Sequence, residues 1–248
     1  MLLSDYEIRR LCDPNRVEWA KPPEGSISIS PERIEGPHQI MIEPFSEAIS
    51  GGGVISYGLS HAGYDLRLGP EILLFKNSSM QTVDPKAFGD EHYRKRMFDE
   101  WIYSFDYVDF PELMEAPPLM RVHRWNLNGL DVTQLNSDNG YVIPPNSYIL
   151  GRSFEYLRIP RHLKGRCVGK STMARCGILV NTTPLEPGWE GHLTIEIGNI
   201  TPCPAKMFVG EGICQMELEL LSALPEVDYS EKWGKYQGQV GVTPAKVV

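Results

Sequence analysis

A mainly β fold, either a sandwich or a barrel, is the fold class that this sequence predicts. Two observations indicate it. The β-rich runs are short and lie between Pro, Gly and Asn residues at close spacing, and the chain of 248 residues contains 23 Gly and 20 Pro. Many short strands separated by turn signals are typical of all-β architectures and not of alternating βαβ units.

The elements follow in order from the N-terminus. Ser4 and Glu7 stand three residues apart at the start of an apolar-periodic run, which is typical of a capping box and predicts a short N-terminal helix. Most of the remaining pattern predicts strands. The predicted strands are residues 40–42, 64–68, 72–75, 141–143, 148–152, 165–168, 178–180, 192–197, 205–209 and 212–220.

Two segments interrupt the strands. Residues 171–176 (STMARC) are predicted as a short helix that Ser171 or Thr172 caps. Residues 89–139 are aromatic and charged without a clean period. We interpret them as an insertion with a short helix near residues 91–100, packed on the β core or on a neighbouring subunit. Aromatic residues in such an insertion more often pack than bind a base.

The composition excludes several classes of protein. A net charge of −8 argues against non-specific nucleic-acid binding. No apolar run is long enough to span a membrane, and the opening MLLSDYEIRR lacks the apolar core of a secretory signal. The five cysteines never form C-x-x-C, so we expect reduced thiols. We therefore expect a cytoplasmic protein whose residues 1–248 form a single domain.

The segment from Gly169 to Arg175 combines features that suit phosphate. Gly169, Lys170, Ser171 and Thr172 bring backbone N–H groups, a cation and two hydroxyls to a predicted strand-to-helix turn. Arg175 lies one turn further along, on the same helix face as Ser171. The spacing is not that of a Walker A loop, so a capped surface helix remains an equal alternative for these residues.

Glu196 is the candidate acid/base. It alternates with Ile195 and Ile197 on a predicted strand and therefore faces away from both. A carboxylate on an apolar strand is costly unless it is paired or functional. The alternatives are a buried salt bridge, for example with Arg175, and a general acid/base with a shifted pKa.

The C-terminal residues 227–248 also admit two interpretations. Tyr229, lysine and glutamine residues alternate with glycine in this segment, which is the composition of a frayed tail. The same residue types suit a flexible lid that closes over a nucleotide.

Five motifs occur in one order along the chain: GKSTMARCG, EPGW, HLTIE, GICQ and KYQGQ. In that order they resemble the dCTP deaminases, which share a trimeric fold with the dUTPases. The opening MLLSDYEIR and the segment SHAGYDLRLG are also similar to that family. The resemblance covers residues 1–12, 40–88 and 141–244 and leaves residues 89–139 unmatched. It implies a dUTPase-like distorted β-barrel or jelly-roll-type fold with a short N-terminal helix.

The resemblance also implies a set of site residues. Glu196 matches the family's catalytic glutamate, and Ser171 and Arg175 match residues near the reacting water. The family gathers Mg²⁺ mainly through the triphosphate, is inhibited by dTTP, and shares each active site between subunits of a homotrimer. The implied nucleotide-binding residues are Lys170, Ser171, Thr172, Met173, Ala174, Arg175, Glu186, Thr194, Ile195, Glu196, Gln215, Tyr229, Lys235 and Gln239.

Two departures from the family accompany these matches. The loop between Val180 and Glu186 is shorter than in several relatives, which puts regulation by dTTP in doubt. Lys170 stands where many members have arginine, a tolerable change for a phosphate contact but not for a bidentate one.

The sequence therefore predicts a zinc-independent hydrolase that converts dCTP to dUTP and ammonia and so feeds pyrimidine deoxynucleotide synthesis. A zinc deaminase needs a C-x-x-C pair, and no second cysteine follows Cys203 at the required spacing. The alternatives are a bifunctional enzyme that continues from dUTP to dUMP and diphosphate, a plain dUTPase, and a catalytically silent nucleotide-binding regulatory protein.

Overall fold

Short strands dominate the structure, as the sequence predicts. The computed structural model describes residues 1–13, 40–76, 82–102, 140–232 and 234–246, so most of the predicted insertion, residues 103–139, lies outside the described residues. The helices are α1 (Asp5–Cys12), α2 (Glu91–Met97) and α3 (Ser171–Arg175), with a 3-10 helix at Pro85–Gly89. The strands are β1 (Ile42–Glu43), β2 (Ile49–Gly51), β3 (Val54–Ser60), β4 (Gly63–Phe75), β5 (Phe98–Ile102), β6 (Gly140–Ile143), β7 (Ser147–Arg158), β8 (Leu163–Gly169), β9 (Ile178–Asn181), β10 (Glu190–Asn199), β11 (Ala205–Phe208) and β12 (Gly212–Leu220).

The strands form one large antiparallel sheet and one small one. The large sheet runs in the order β2-β3-β4-β7-β10-β9, while β11 and β6 pair separately. Strand β4 pairs with β3 and β12 through its first half and with β5 and β7 through its second half. The sheet therefore curls around β4, and the mainly β fold class is confirmed.

Strand β4 differs from its prediction. The sequence predicted two strands, residues 64–68 and 72–75, separated at Gly69 and Pro70. The structure has one strand with a shift of register between Leu68 and Ile72. A β-bulge accommodates proline inside a strand and bends the strand at that point, so the turn signal here marks a bend and not an end.

The helix predicted near residues 91–100 begins where the sequence predicts but ends earlier. Asp90 caps α2 by accepting hydrogen bonds from the backbone N–H groups of His92 and Tyr93. The helix ends at Met97, and the chain continues directly as β5, which pairs with β4. The helix predicted over residues 91–100 is therefore three residues too long. This part of the insertion packs on the β core.

Helix α1 begins after Ser4, but the predicted capping box does not form. Ser4 makes no side-chain cap hydrogen bond. Glu7 instead lies 3.4 Å from Arg10 in an ion pair on the buried side of the helix.

The main core lies between the curled sheet and α1, and a second apolar cluster covers one face of β4 and β7. That second cluster consists of Leu73, Phe88, Tyr93, Met97, Phe98 and Leu150, with Phe75, Tyr148 and Val242 packed against it. Among the described helices, none has the length and apolar character needed to cross a membrane.

Candidate active site

Glu196 lies in the middle of β10, on the face predicted from the sequence. Ile195 and Ile197 are fully buried in the main core, whereas Glu196 and Thr194 are partly buried and face the opposite side. Leu150 of β7 lies directly across the strand pair from Glu196, and Asn181 of β9 lies on the other side. Pairing on both sides fixes the backbone of Glu196 and therefore the direction of its carboxylate.

The surroundings of Glu196 raise the affinity of its carboxylate for a proton. Its Oε2 atom is buried and has no hydrogen-bond partner among the described residues. Burial raises the pKa of Glu196 above its ordinary value, because the charged form loses water that no cation replaces. Within the described part of the chain no ion pair joins Glu196 to Arg175, so that particular salt bridge does not form there. The raised pKa favours the acid/base interpretation of Glu196.

A pocket opens beside Glu196. Its volume of about 280 Å³ lies near the lower end of the range for small-molecule sites, about 300–1,000 Å³, which suits part of a nucleotide better than the whole of one. One side is apolar and comes from β5, β7 and the 3-10 helix, and the other is more polar and comes from β10 and the C-terminal segment. The lining residues are Phe88, Phe98, Tyr148, Leu150, Thr183, Pro184, Leu185, Glu186, Trp189, Leu193, Thr194, Glu196, Tyr229, Tyr236, Gln239, Thr243 and Ala245.

The C-terminal segment is bound along β10 through backbone atoms. The His192 N–H donates to the Gln239 carbonyl at 2.8 Å, and Gln239 Nε2 donates to the His192 carbonyl at 2.7 Å. The indole N–H of Trp189 donates to the Tyr236 carbonyl at 2.9 Å. Further along, the Thr243 N–H donates to Thr194 Oγ1 at 3.2 Å. These contacts place the segment at the mouth of the pocket.

The structure brings together only part of the predicted site. Five of the predicted nucleotide-binding residues line the pocket, namely Glu186, Thr194, Glu196, Tyr229 and Gln239. Ile195 lies beneath it with its side chain in the core and only its backbone available.

A second group of predicted residues lies around β8, α3 and β12, away from the pocket lining. Lys170 Nζ forms a short ion pair with Asp65 and a hydrogen bond of 3.1 Å to Ser56 Oγ. Gln215 Nε2 donates to the other carboxylate oxygen of Asp65 at 3.3 Å. Asp65 therefore holds two of the predicted phosphate ligands at one point.

Helix α3 presents most of its side chains to solvent. Lys170 occupies the N-cap position and makes no side-chain cap hydrogen bond, so the predicted capping by Ser171 or Thr172 is wrong. The helix begins at Ser171 itself, and lysine has no side-chain oxygen to accept a backbone N–H. Met173 is buried in the main core, whereas Ser171, Thr172, Ala174 and Arg175 are exposed.

Lys235 also lies away from the pocket lining. Its Nζ contacts the carbonyl of Lys246 at 3.4 Å, within the C-terminal segment.

The sequence analysis missed the apolar side of the pocket. Phe88 and Phe98 both line the pocket and belong to the second apolar cluster, so they combine packing with a place at the site. The abundance of aromatic residues in the segment 89–139 was the available signal for this side of the pocket. Trp189 and Tyr236 were also missed, although both lie in or near the motifs singled out.

The ionisable groups of the site do not gather as metal ligands. Among the described residues, no three His, Cys, Asp or Glu side chains lie close enough to hold a metal ion together.

Comparison with known proteins gives a consistent result. A dCTP deaminase from Helicobacter hepaticus is 43% identical over 209 residues, which cover 84% of this chain and 91% of that protein. A dCTP deaminase from Rhizorhabdus wittichii is 43% identical over 203 residues, covering 82% and 89%. A solved structure of 2'-deoxycytidine 5'-triphosphate deaminase from Agrobacterium tumefaciens aligns with a TM-score of 0.47 and 16% identity, over 88% of this chain and 47% of that chain. The profile of the family described as dCTP deaminase-like matches residues 31–221. The chain therefore belongs to the dCTP deaminase-like family.

Proposed function

We propose that this protein catalyses the hydrolytic deamination of dCTP to dUTP and ammonia without zinc. The observation that carries the proposal is the carboxylate of Glu196, which lies in the pocket with a buried, unpartnered Oε2. Deamination adds the oxygen of water to C4 of cytosine and releases the amino group as ammonia. Protons must therefore move from water to the leaving nitrogen, and one mobile acid/base group can do this.

Glu196 carries out the proton transfers one after the other, as general base and then as general acid. As general base it accepts a proton from the attacking water and passes it to N3 of the base. It then takes the proton of the new C4 hydroxyl and, as general acid, gives it to the amino group, so that the C4–N bond breaks, the C4 carbonyl forms and ammonia leaves. The raised pKa of Glu196 supports this double role, because a group that both accepts and donates works best with a pKa near the operating pH. Leu150, opposite Glu196 across the strand pair, gives the pocket an apolar side chain next to the carboxylate.

Residues around Glu196 hold the substrate in the proposal. The backbone of Thr194 and Ile195 binds the polar edge of the pyrimidine. Tyr229 and Gln239 contact the sugar and phosphates, with Glu186 near the deoxyribose. Four of these five residues line the pocket with Glu196, which supports their assignment.

The active site is shared between subunits of a homotrimer in this proposal. Ser171 and Arg175 are needed to hold the water and to stabilise developing charge, yet neither lines the pocket of its own chain. Both are exposed on α3 and available to a neighbour. A neighbouring subunit thus contributes α3 to each pocket, with Lys170, Thr172 and Ala174. Met173 contributes only its backbone, because its side chain is buried in the core.

The triphosphate lies toward Lys170 and Gln215, whose side chains already converge on Asp65. Mg²⁺ enters as part of the substrate complex, held mainly by the triphosphate, and supplies charge neutralisation there. The thymine ring and triphosphate of dTTP resemble those of the product and make it the candidate inhibitor, whereas the short loop between Val180 and Glu186 argues against this regulation. We place the reaction in the cytoplasm, which the five free cysteines support.

The test is to incubate the purified protein and the Glu196→Gln variant with dCTP, dCMP, CTP and dUTP, and to resolve the products by chromatography. The proposal predicts that the unaltered protein forms dUTP and ammonia from dCTP and no product from dCMP, CTP or dUTP. The Glu196→Gln variant should form no product from any of the four. Release of dUMP and diphosphate from dCTP or dUTP indicates the bifunctional alternative. Absence of any product with dCTP contradicts the proposal.

A further inference from the structure

Val242 joins the C-terminal segment to the second apolar cluster. Val242 is partly buried and packs against that cluster, whereas Val240, two residues earlier, is 55% exposed. Four aromatic rings, two in the cluster and two packed against it, stand close together, and we name them the aromatic seat: Phe75, Phe88, Phe98 and Tyr148. The two valines of the segment therefore differ: the side chain of Val242 packs against the cluster, whereas that of Val240 is largely in solvent.

The rings of the aromatic seat support one another. Phe75 and Tyr148 are stacked with centroids 4.7 Å apart, and Phe98 meets Tyr148 edge-on at 6.0 Å. Phe88 lies 6.3 Å from Phe98. Offset and edge-to-face pairs of this kind stabilise a rigid apolar surface. Such a surface can receive a small aliphatic side chain without rearranging.

The position of Val242 in the segment matters for the pocket. The backbone of Gln239, three residues before it, is bonded to His192 at 2.8 Å, and the backbone N–H of Thr243, immediately after it, is bonded to Thr194 at 3.2 Å. Both Gln239 and Thr243 line the pocket. A protein hydrogen bond adds little net stability, because water offers the same groups other partners when the segment is released. Burial of Val242 is an apolar contribution that water does not offset.

We propose that the aromatic seat positions the C-terminal segment, with Val242 as the positioning residue that holds Gln239 and Thr243 over the pocket. One of the four rings, Phe98, comes from residues 89–102, the described start of the segment that the family resemblance left unmatched, and Phe88 immediately precedes that segment. This part of the chain therefore acts on the site through the C-terminal segment as well as by lining the pocket. The effect on catalysis rests on the proposed function, whereas the docking itself does not.

The test compares three variants by hydrogen exchange and by steady-state kinetics. Val242→Asp places a carboxylate against the second apolar cluster, where an unpaired charge is strongly disfavoured. We therefore expect the protection of the amides of residues 237–246, Pro244 excepted, to fall by at least about tenfold. Val242→Ile keeps an aliphatic side chain and should retain protection. Val240→Asp adds the same charge at an exposed position and serves as the matched control.

In kinetics with dCTP, Val242→Asp should raise KM by about tenfold while kcat changes by less than about threefold, because saturating substrate still closes the segment. Val242→Ile and Val240→Asp should retain the KM of the unaltered protein. Thermal unfolding is measured in parallel, and equal midpoints exclude a general loss of structure.

Two results overturn the proposal: unchanged amide protection in Val242→Asp, or equal loss of protection in Val240→Asp. Hydrogen exchange needs no substrate, so it decides the docking even if the unaltered protein does not deaminate dCTP. A protein that does not deaminate dCTP contradicts the proposed function, but hydrogen exchange still decides whether Val242 positions the segment.

Discussion

Replacing Glu196 with glutamine tests the role of its carboxylate. The amide keeps the size and shape of the side chain but cannot carry a proton between water and the leaving nitrogen. Among the described residues nothing is bonded to Oε2, so no neighbour is placed to take over the transfer. Loss of general acid/base catalysis lowers the rate by about 10²–10⁴-fold, equivalent to about 3–5 kcal/mol in the barrier.

The assay separates catalysis from binding. Turnover of dCTP is followed by ammonia release, and binding of dCTP to the variant is measured by calorimetry. We expect kcat to fall as above while the Kd stays within a few-fold. Turnover near that of the unaltered protein refutes the role of Glu196. A complete loss of binding instead assigns Glu196 to substrate recognition.

The same substitution has an effect on stability whose sign follows from the raised pKa of Glu196. The folded protein binds this proton more tightly than the unfolded chain does. Stability from Glu196 is therefore fully present below its unfolded pKa and is lost as pH rises through the folded pKa. Above its folded pKa the unaltered protein has an ionised, partly buried carboxylate that the glutamine variant lacks. We expect Glu196→Gln to raise Tm there, and the gain to shrink as the pH falls toward the unfolded pKa of glutamate, about 4.3.

Three further predictions address the segment, the shared site and the metal. Truncation after Glu226 should raise KM and lower kcat sharply without unfolding the β core, and light scattering should still give the mass of a trimer of the shortened chain. Lys235→Ala should raise the barrier less, by about 1.5–3 kcal/mol for one charge-assisted contact. Full activity after truncation excludes a lid. Co-expressed Glu196→Gln and Arg175→Ala chains, each inactive alone, should regain activity in mixed oligomers, whereas persistent inactivity contradicts a site shared between subunits. A zinc chelator should leave turnover unchanged while removal of Mg²⁺ weakens dCTP binding, and an activity-linked stoichiometric zinc ion contradicts this.

The strand pattern could be predicted where the chain alternates cleanly. The strand predicted over residues 192–197 is the centre of β10, and alternation alone placed Glu196 opposite the buried isoleucines. Local turn signals were misleading at Gly69 and Pro70, because pairing on both halves of β4 holds the strand together through a bend. The start of β5 was missed for a similar reason: its pairing with β4 is a long-range contact that local propensity does not contain.

The candidate site was predictable only in part. Motif order identified Glu196 and the residues of α3, but the distance between them within one chain depends on how β9 and β10 pack. Phe98 and Val242 are separated by more than half of the chain, and their meeting on the second apolar cluster is a product of tertiary packing. No period or motif in either segment indicates the other.

Deamination of dCTP in water enriched in oxygen-18 tests the central claim most directly. Hydrolysis at C4 places one heavy oxygen on the uracil ring of dUTP, with one ammonia released for each dCTP consumed, and mass spectrometry of the base detects it. We predict this label in the base and an unlabelled triphosphate. Unlabelled uracil, or label found only in a released phosphate or diphosphate, contradicts the proposed reaction.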